Sequence, residues 1–353
     1  MTATLIRNAY EAGLTMTAVL LCWGAALALE GAAGLHTDVL VLAVALTLTL
    51  SSTQRTADTR RRLISLVLLP ATAAASIFVG RLLAAHYAAG AAVYTAGMAL
   101  AIWIRRYGPA ATKAGTLIAL PLVALLVVPG PALPREAQSG LVTWAWSALI
   151  ATLACCSVWL VQSLGDRFGP WRPAPTPEPP ARRSRLHPRP STRMAFQMAA
   201  GIAAAFAVGH LLFHDHWPWV VLTAYVAASG NRGRTDVVRK GVERLAGACV
   251  GTLLATGVAA AGITGHTAVA LMFTILTIAL WLRPLSYAYW AAGMTCALSL
   301  LLGYFGQNAE SLLPTRLEGI AVGAVLSVAS AWWLLPVPRR RGPGATRPAV
   351  AAS

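Results

Sequence analysis

Apolar runs of about 13 to 22 residues alternate with short polar breaks along almost the whole chain. A helix rises about 1.5 Å per residue, so a run near 20 residues matches a hydrocarbon core of about 30 Å. Backbone amides inside a bilayer find no water, and a helix satisfies them within the segment. The pattern predicts an all-α polytopic membrane protein with about 12 transmembrane helices. The expected spans are 14–33, 37–51, 63–85, 90–104, 114–128, 141–162, 194–213, 217–229, 242–262, 267–282, 286–304 and 317–335. Composition agrees: 57% of the 353 residues are hydrophobic and only 11% are charged. About 25% charged is usual for a soluble domain.

A net charge of +16 raises the question of nucleic acid. The placement of the charge answers otherwise. Of the 28 Lys and Arg residues, 25 fall in one alternating set of breaks, and the other three are Arg81, Arg135 and Arg316. The positive-inside rule then places both termini and the Pro/Arg-rich stretch after the sixth span in the cytoplasm. No nucleic-acid partner is expected; the expected partners are the lipid bilayer and a small-molecule substrate, with a homo-oligomer left open. The location implied is the cytoplasmic (inner or plasma) membrane. The first run, after Arg7, lacks a small-x-small cleavage site and reads as the first span rather than a signal peptide.

The chain also reads as two copies. His36-Thr37-Asp38 leads through a short apolar run to the cluster Arg55–Arg62 and then a long run. His214-Asp215-His216 does the same about 180 residues later, and Arg62-Leu63 aligns with Arg244-Leu245. Six spans per copy make the repeats parallel, related by an axis along the membrane normal. The domains expected are a six-span repeat over 1–164, a cytoplasmic linker over 165–192, a second six-span repeat over 193–336 and a basic tail over 337–353. The second span of each copy is short, and matching short spans in two halves point to a transport site; polar flanks that lengthen these helices are the plainer reading.

Few residues within the spans carry chemistry. Trp219 and Tyr225 in the eighth span, with Tyr287, Tyr289 and Trp290 in the eleventh, suit either an interfacial aromatic belt or the wall of an aromatic cavity. Arg244, beside Glu243 at the mouth of the ninth span, either snorkels to the interface or draws in organic anions. His210 is the candidate proton carrier, since histidine changes charge near neutral pH, and Arg316 with Glu318 at the outer start of the last span are candidates for gating or coupling. Gly247-x-x-x-Gly251 and Gly319-x-x-x-Gly323 permit close helix packing. The five cysteines have no metal-ligand spacing and read as packing residues. No nucleotide-binding loop, H-E-x-x-H or G-x-S-x-G is present, so neither a cofactor, a metal nor an enzymatic activity is expected.

The stretch from His216 to Ala255 resembles the signature of the fusaric acid resistance, or aromatic acid exporter, superfamily. The resemblance is carried by Trp219, Thr223, Arg244, Gly247 and Gly251, with RLEGIAVGAVLSVASAWWLLP over the last span. It covers 193–336 well and 1–162 weakly. It departs at Ala248, where the family often has Thr, and in a short linker where many members carry a large cytoplasmic domain. The resemblance implies a secondary-active exporter of small organic, notably aromatic carboxylic, acids and related toxic compounds, driven by the proton gradient. The alternative from another class is a non-transporting membrane scaffold or envelope-assembly protein.

Overall fold

The computed structural model describes residues 2–33, 38–55, 59–127, 140–170, 190–229, 234–263, 265–304 and 309–334. Among them there is no strand. The helices of the first half are α1 (Thr2–Ala33), α2 (Asp38–Gln54), α3 (Thr59–Ala85), α4 (Tyr87–Trp103), α5 (Pro109–Val127) and α6 (Gly140–Phe168). Those of the second are α7 (Pro190–Phe213), α8 (Trp217–Ala228), α9 (Arg234–Ala260), α10 (Gly265–Leu282), α11 (Tyr287–Tyr304) and α12 (Ala309–Trp333). Eight of the described helices are long and apolar enough to cross a membrane, while α2 and α8 are shorter apolar helices. Most of the expected linker and all of the tail lie outside the described residues.

The expected spans and the helices coincide in place, but several helices begin earlier. Helix α1 starts at Thr2, α9 at Arg234 and α12 at Ala309. Polar first turns cost a helix little, and apolar runs register only the part that sits in hydrocarbon. The shift matters most in α12, where Arg316 lies seven residues into the helix rather than at its mouth.

Hydroxyls inside these apolar helices bond locally. Thr47, Ser65 and Thr152 each donate to the carbonyl four residues back, a pattern that hides the hydroxyl within its own helix. Proline makes the opposite demand. Pro121 in α5 has no N–H for the Leu117 carbonyl, and Thr72 of α3 donates to that carbonyl at 3.4 Å. A neighbouring helix thus satisfies the acceptor that proline frees. Between α4 and α5 the chain passes a 3-10 turn, Ile104–Tyr107, and Gly108 at φ 120°, where an L side chain is strained.

Among the described residues three large apolar clusters, with a small fourth around Ala227, Val237 and Ala331, hold the bundle. One, built on Leu46, Leu50, Leu69 and Ile150, lies within the first half. A second joins α4 and α5 to α7 and α8 through Tyr94, Met98, Phe206 and Val220. A third joins α1 and α2 to α10 and α11 through Val19, Leu48, Phe273 and Leu276. The halves therefore meet reciprocally: α4 packs on α7, and α10 packs on α1. Outward-facing Val67, Leu211, Leu253 and Val325 are exposed, which suits a surface solvated by lipid. The molecule is a helical, multi-pass membrane protein.

At one end of the first half, polar groups tie α1, α2, α3 and α6 together. Arg55 donates to Glu11 at 2.7 Å and to Asp166 at 2.6 Å. Arg62 reaches Asp166 at 3.5 Å and Ser163 at 3.0 Å. Gln162 donates to the Ser51 carbonyl, and the Tyr10 hydroxyl donates to that of Gly165. Asp166→Asn removes the carboxylate that both arginines share. Since Asp166 is about one-third exposed, the expected loss is about 1–2 kcal/mol. It is read as a lower unfolding temperature in detergent.

Candidate functional site

The short helix α8 is placed by its sequence. A 3-10 turn, His214–His216, ends α7, and Pro218 occupies the first turn of α8, where its missing N–H is no loss. The turn bends at His214, which takes φ 46°. Glycines then set how closely α8 and its neighbours approach. A Cβ at Gly323 of α12 lands on the Val220 carbonyl oxygen and 2.9 Å from the Thr223 Cβ. At Gly319 it comes to 3.3 Å from the Trp219 Cβ. On the other side, a Cβ at Gly247 or Gly251 of α9 lands on the carbonyl oxygens of Ala288 and Ala292 in α11. The two small-residue motifs thus build two backbone-close pairs, α8 with α12 and α9 with α11, and α9 also packs on α12.

Two arginines bridge these pairs. Arg316 of α12 is 4% exposed. Its guanidinium lies 4.2 Å from the centre of the Trp219 ring on α8. One of its terminal nitrogens donates to the Ser299 hydroxyl at 3.0 Å and to the Thr295 carbonyl at 3.4 Å, both on α11. Its Nε is buried without a partner. Arg244 of α9 donates from Nε to the Thr223 hydroxyl on α8 at 3.0 Å, and from a terminal nitrogen to the Tyr287 hydroxyl on α11 at 3.3 Å. Each arginine therefore spans α8 and α11. Trp219 and Thr223 are one turn apart on one face of α8, so the two rungs stack along it. The two positive charges are close enough to repel one another.

Among the described residues no carboxylate compensates either charge. Glu243 bonds Arg239 at 2.8 Å, one turn away on the same helix. Glu318 is exposed. Two buried hydroxyls without partners, Thr252 of α9 and Ser327 of α12, lie on the same two helices as the arginines. The sequence counterpart of Arg244, Arg62, is in the opposite condition, held by Asp166. Burying a cation without a counter-ion is expensive, so a core built this way fits an anion.

The structure gathers some of the expected residues and scatters others. It brings together Trp219, Arg244, Tyr287 and Arg316, with Gly247, Gly251, Gly319 and Gly323 setting the helices around them. Tyr225, two residues beyond Thr223, turns to the other face of α8 and packs with the cluster around Tyr94. Tyr289 is exposed. Trp290 faces the seam with α1 and α10, and Arg283 lies 5.2 Å from its ring centre. His210 stacks on Tyr87 of α4 at 4.2 Å, and Tyr87 in turn meets Phe206 and Trp217 edge-on. Sequence reasoning did not single out Thr295, Ser299 and Thr252. Their signal was faint: hydroxyls in apolar runs, indistinguishable from the many that bond within their own helix.

Residues 202–330 match the model of a family described as fusaric acid resistance protein-like. The match takes in both arginines, all four small-residue positions and the hydroxyls around them. It bears out the resemblance drawn from Trp219, Thr223, Arg244, Gly247 and Gly251. No curated protein and no solved structure matches the chain.

Proposed function

We infer, from the fusaric acid resistance protein-like character of residues 202–330 and the cation-rich core those residues enclose, that the chain is a secondary-active exporter of small organic acids. Aromatic carboxylic acids are the proposed substrates, and the proton gradient is the proposed driving force. The observation that carries the reading is Arg316, buried and uncompensated at the crossing of α8, α11 and α12. A permanent cation in such a place is a functional-site candidate by default. A structural role alone is better met by an apolar residue or a closed ion pair.

The reciprocal seams α4–α7 and α1–α10 support two parallel six-helix repeats about an axis along the membrane normal. With the charge bias of the breaks, this puts both termini and the linker in the cytoplasm of a cell whose inner or plasma membrane holds the protein. Partners are then an organic anion and the bilayer, and no catalytic step is assigned.

Proton coupling is proposed to run through His210 at the α4–α7 seam. His210→Phe keeps the stacking on Tyr87 and removes the imidazole that would carry a proton. The expected result is flux that persists down a benzoate gradient but is no longer driven by an imposed proton gradient. In cells, overexpression should raise tolerance to a panel of aromatic acids, and deletion should lower it. A membrane scaffold, the alternative, gives no change for any of them.

A further inference from the structure

We infer that Arg316 and Arg244 together form one carboxylate-binding site per chain, enclosed by α8, α9, α11 and α12, and that the first half has no equivalent. The inference deepens the organic-acid reading by naming the site and its ligand chemistry, and it rests on that reading.

Three observations carry it. Arg316 is 4% exposed, its Nε has no partner, and its other bonds go to a hydroxyl and a carbonyl rather than to a charge. Arg244 is likewise bonded only to hydroxyls, those of Thr223 and Tyr287. Hydroxyls can give way to a better acceptor, and a carboxylate is that acceptor, since charge-assisted bonds to guanidinium are about twice as strong as neutral ones. The two cations, one turn apart along α8, repel one another, and an anion between them offsets that repulsion and part of the unmet charge. One small monoanion cannot neutralise both, but it satisfies the open donor of Arg316 while drawing Arg244 toward it.

The flanking rings set the rest of the ligand. Trp219 stands against Arg316 and Tyr287 against Arg244. A planar apolar body beside the carboxylate suits such walls better than an aliphatic one. In the first half Arg62, the counterpart of Arg244, is already neutralised, while the counterpart of Arg316, near Arg135, lies outside the described residues. Arg55 is shared by Glu11 and Asp166, and Arg62 is held by Asp166 and Ser163. Those pairs tie helices together, and among the described residues Arg62 has the carboxylate that Arg244 lacks.

The test is equilibrium binding of radiolabelled benzoate to the purified full chain in detergent, with acetate and neutral benzamide as competitors. The expected stoichiometry is near one. Benzoate should compete better than acetate, and benzamide should not compete. Arg316→Gln and Arg244→Gln should each weaken binding by about tenfold or more. Arg316→Lys, which keeps the charge but not the planar fork, should fall between. Folding is checked by thermal unfolding: Arg316→Gln should unfold no lower than the parent, so lost binding cannot be put down to misfolding. Benzoate binding undiminished in both Gln variants, equal competition by benzamide, two equivalents per chain, or no binding to the parent overturns the site. Benzoate flux that survives in Arg316→Gln vesicles overturns the site and leaves the exporter reading standing. Binding in the expected pattern without flux does the reverse.

Discussion

Replacing Arg316 with methionine is expected to abolish organic-acid transport while making the protein harder to unfold. The two effects have one cause. A buried guanidinium next to a second arginine, with hydroxyl and carbonyl partners only, is paid for in folding stability and returned on binding an anion. Methionine fills a similar volume and carries no charge. It also lifts the repulsion that Arg244 feels. Loss of a hydrogen bond to a charged partner is worth about 1.5–3 kcal/mol, or roughly tenfold to a hundredfold in affinity. Transport of benzoate should fall by at least that factor, and the unfolding temperature in detergent should rise by a few degrees. Lower activity with lower stability indicates a structural arginine instead.

The second large effect is expected at the α9–α11 crossing. Gly251→Val places a branched side chain where a single Cβ already lands on the Ala292 carbonyl oxygen and 2.8 Å from the Thr295 Cβ. Two backbones in contact cannot yield by a rotamer change, so the helices must part. One extra methyl group in a packed core costs about 1–3 kcal/mol, and two more atoms against backbone push toward or past the upper end. A loss near 3 kcal/mol lowers the unfolding temperature by roughly 4 °C in a chain of 353 residues. Parting α9 from α11 also moves Thr295 relative to Arg316, so binding should fail along with stability. Gly257→Ala is the control, on the same helix with nothing within 4 Å. It should be neutral or stabilise by about 0.4–1 kcal/mol, because alanine restricts the unfolded chain.

The helices were legible in the sequence because apolar runs of membrane length have few other ways to fold. The glycine motifs were legible too: a four-residue spacing of small residues on an apolar helix has one main use, and both pairs serve it. Arg244 and Trp219 could be singled out by type and position. Their pairing could not. Arg316 is 72 residues from Arg244 and 97 from Trp219 in the chain, and only the crossing of α8, α9 and α12 brings them together. A count of apolar residues places Arg316 at the edge of the last span, since a charged residue ends a run. Helix α12 continues through it because the arginine is met by Trp219, Thr295 and Ser299 inside the bundle. The aromatic residues mislead for a related reason. Tyr225 and Tyr289 lie two residues from Thr223 and Tyr287, which turns each about 200° away on its helix. Proximity in sequence within a helix does not put two residues on one face.

The account stands or falls on whether this chain moves an organic anion through the core that Arg316 and Arg244 share. Benzoate flux into or out of proteoliposomes holding only the purified chain measures that directly. The account predicts flux that saturates with benzoate, is absent for benzamide, and drops by about tenfold or more in Arg316→Gln. Flux indistinguishable from protein-free vesicles, or equal in the parent and Arg316→Gln, contradicts it.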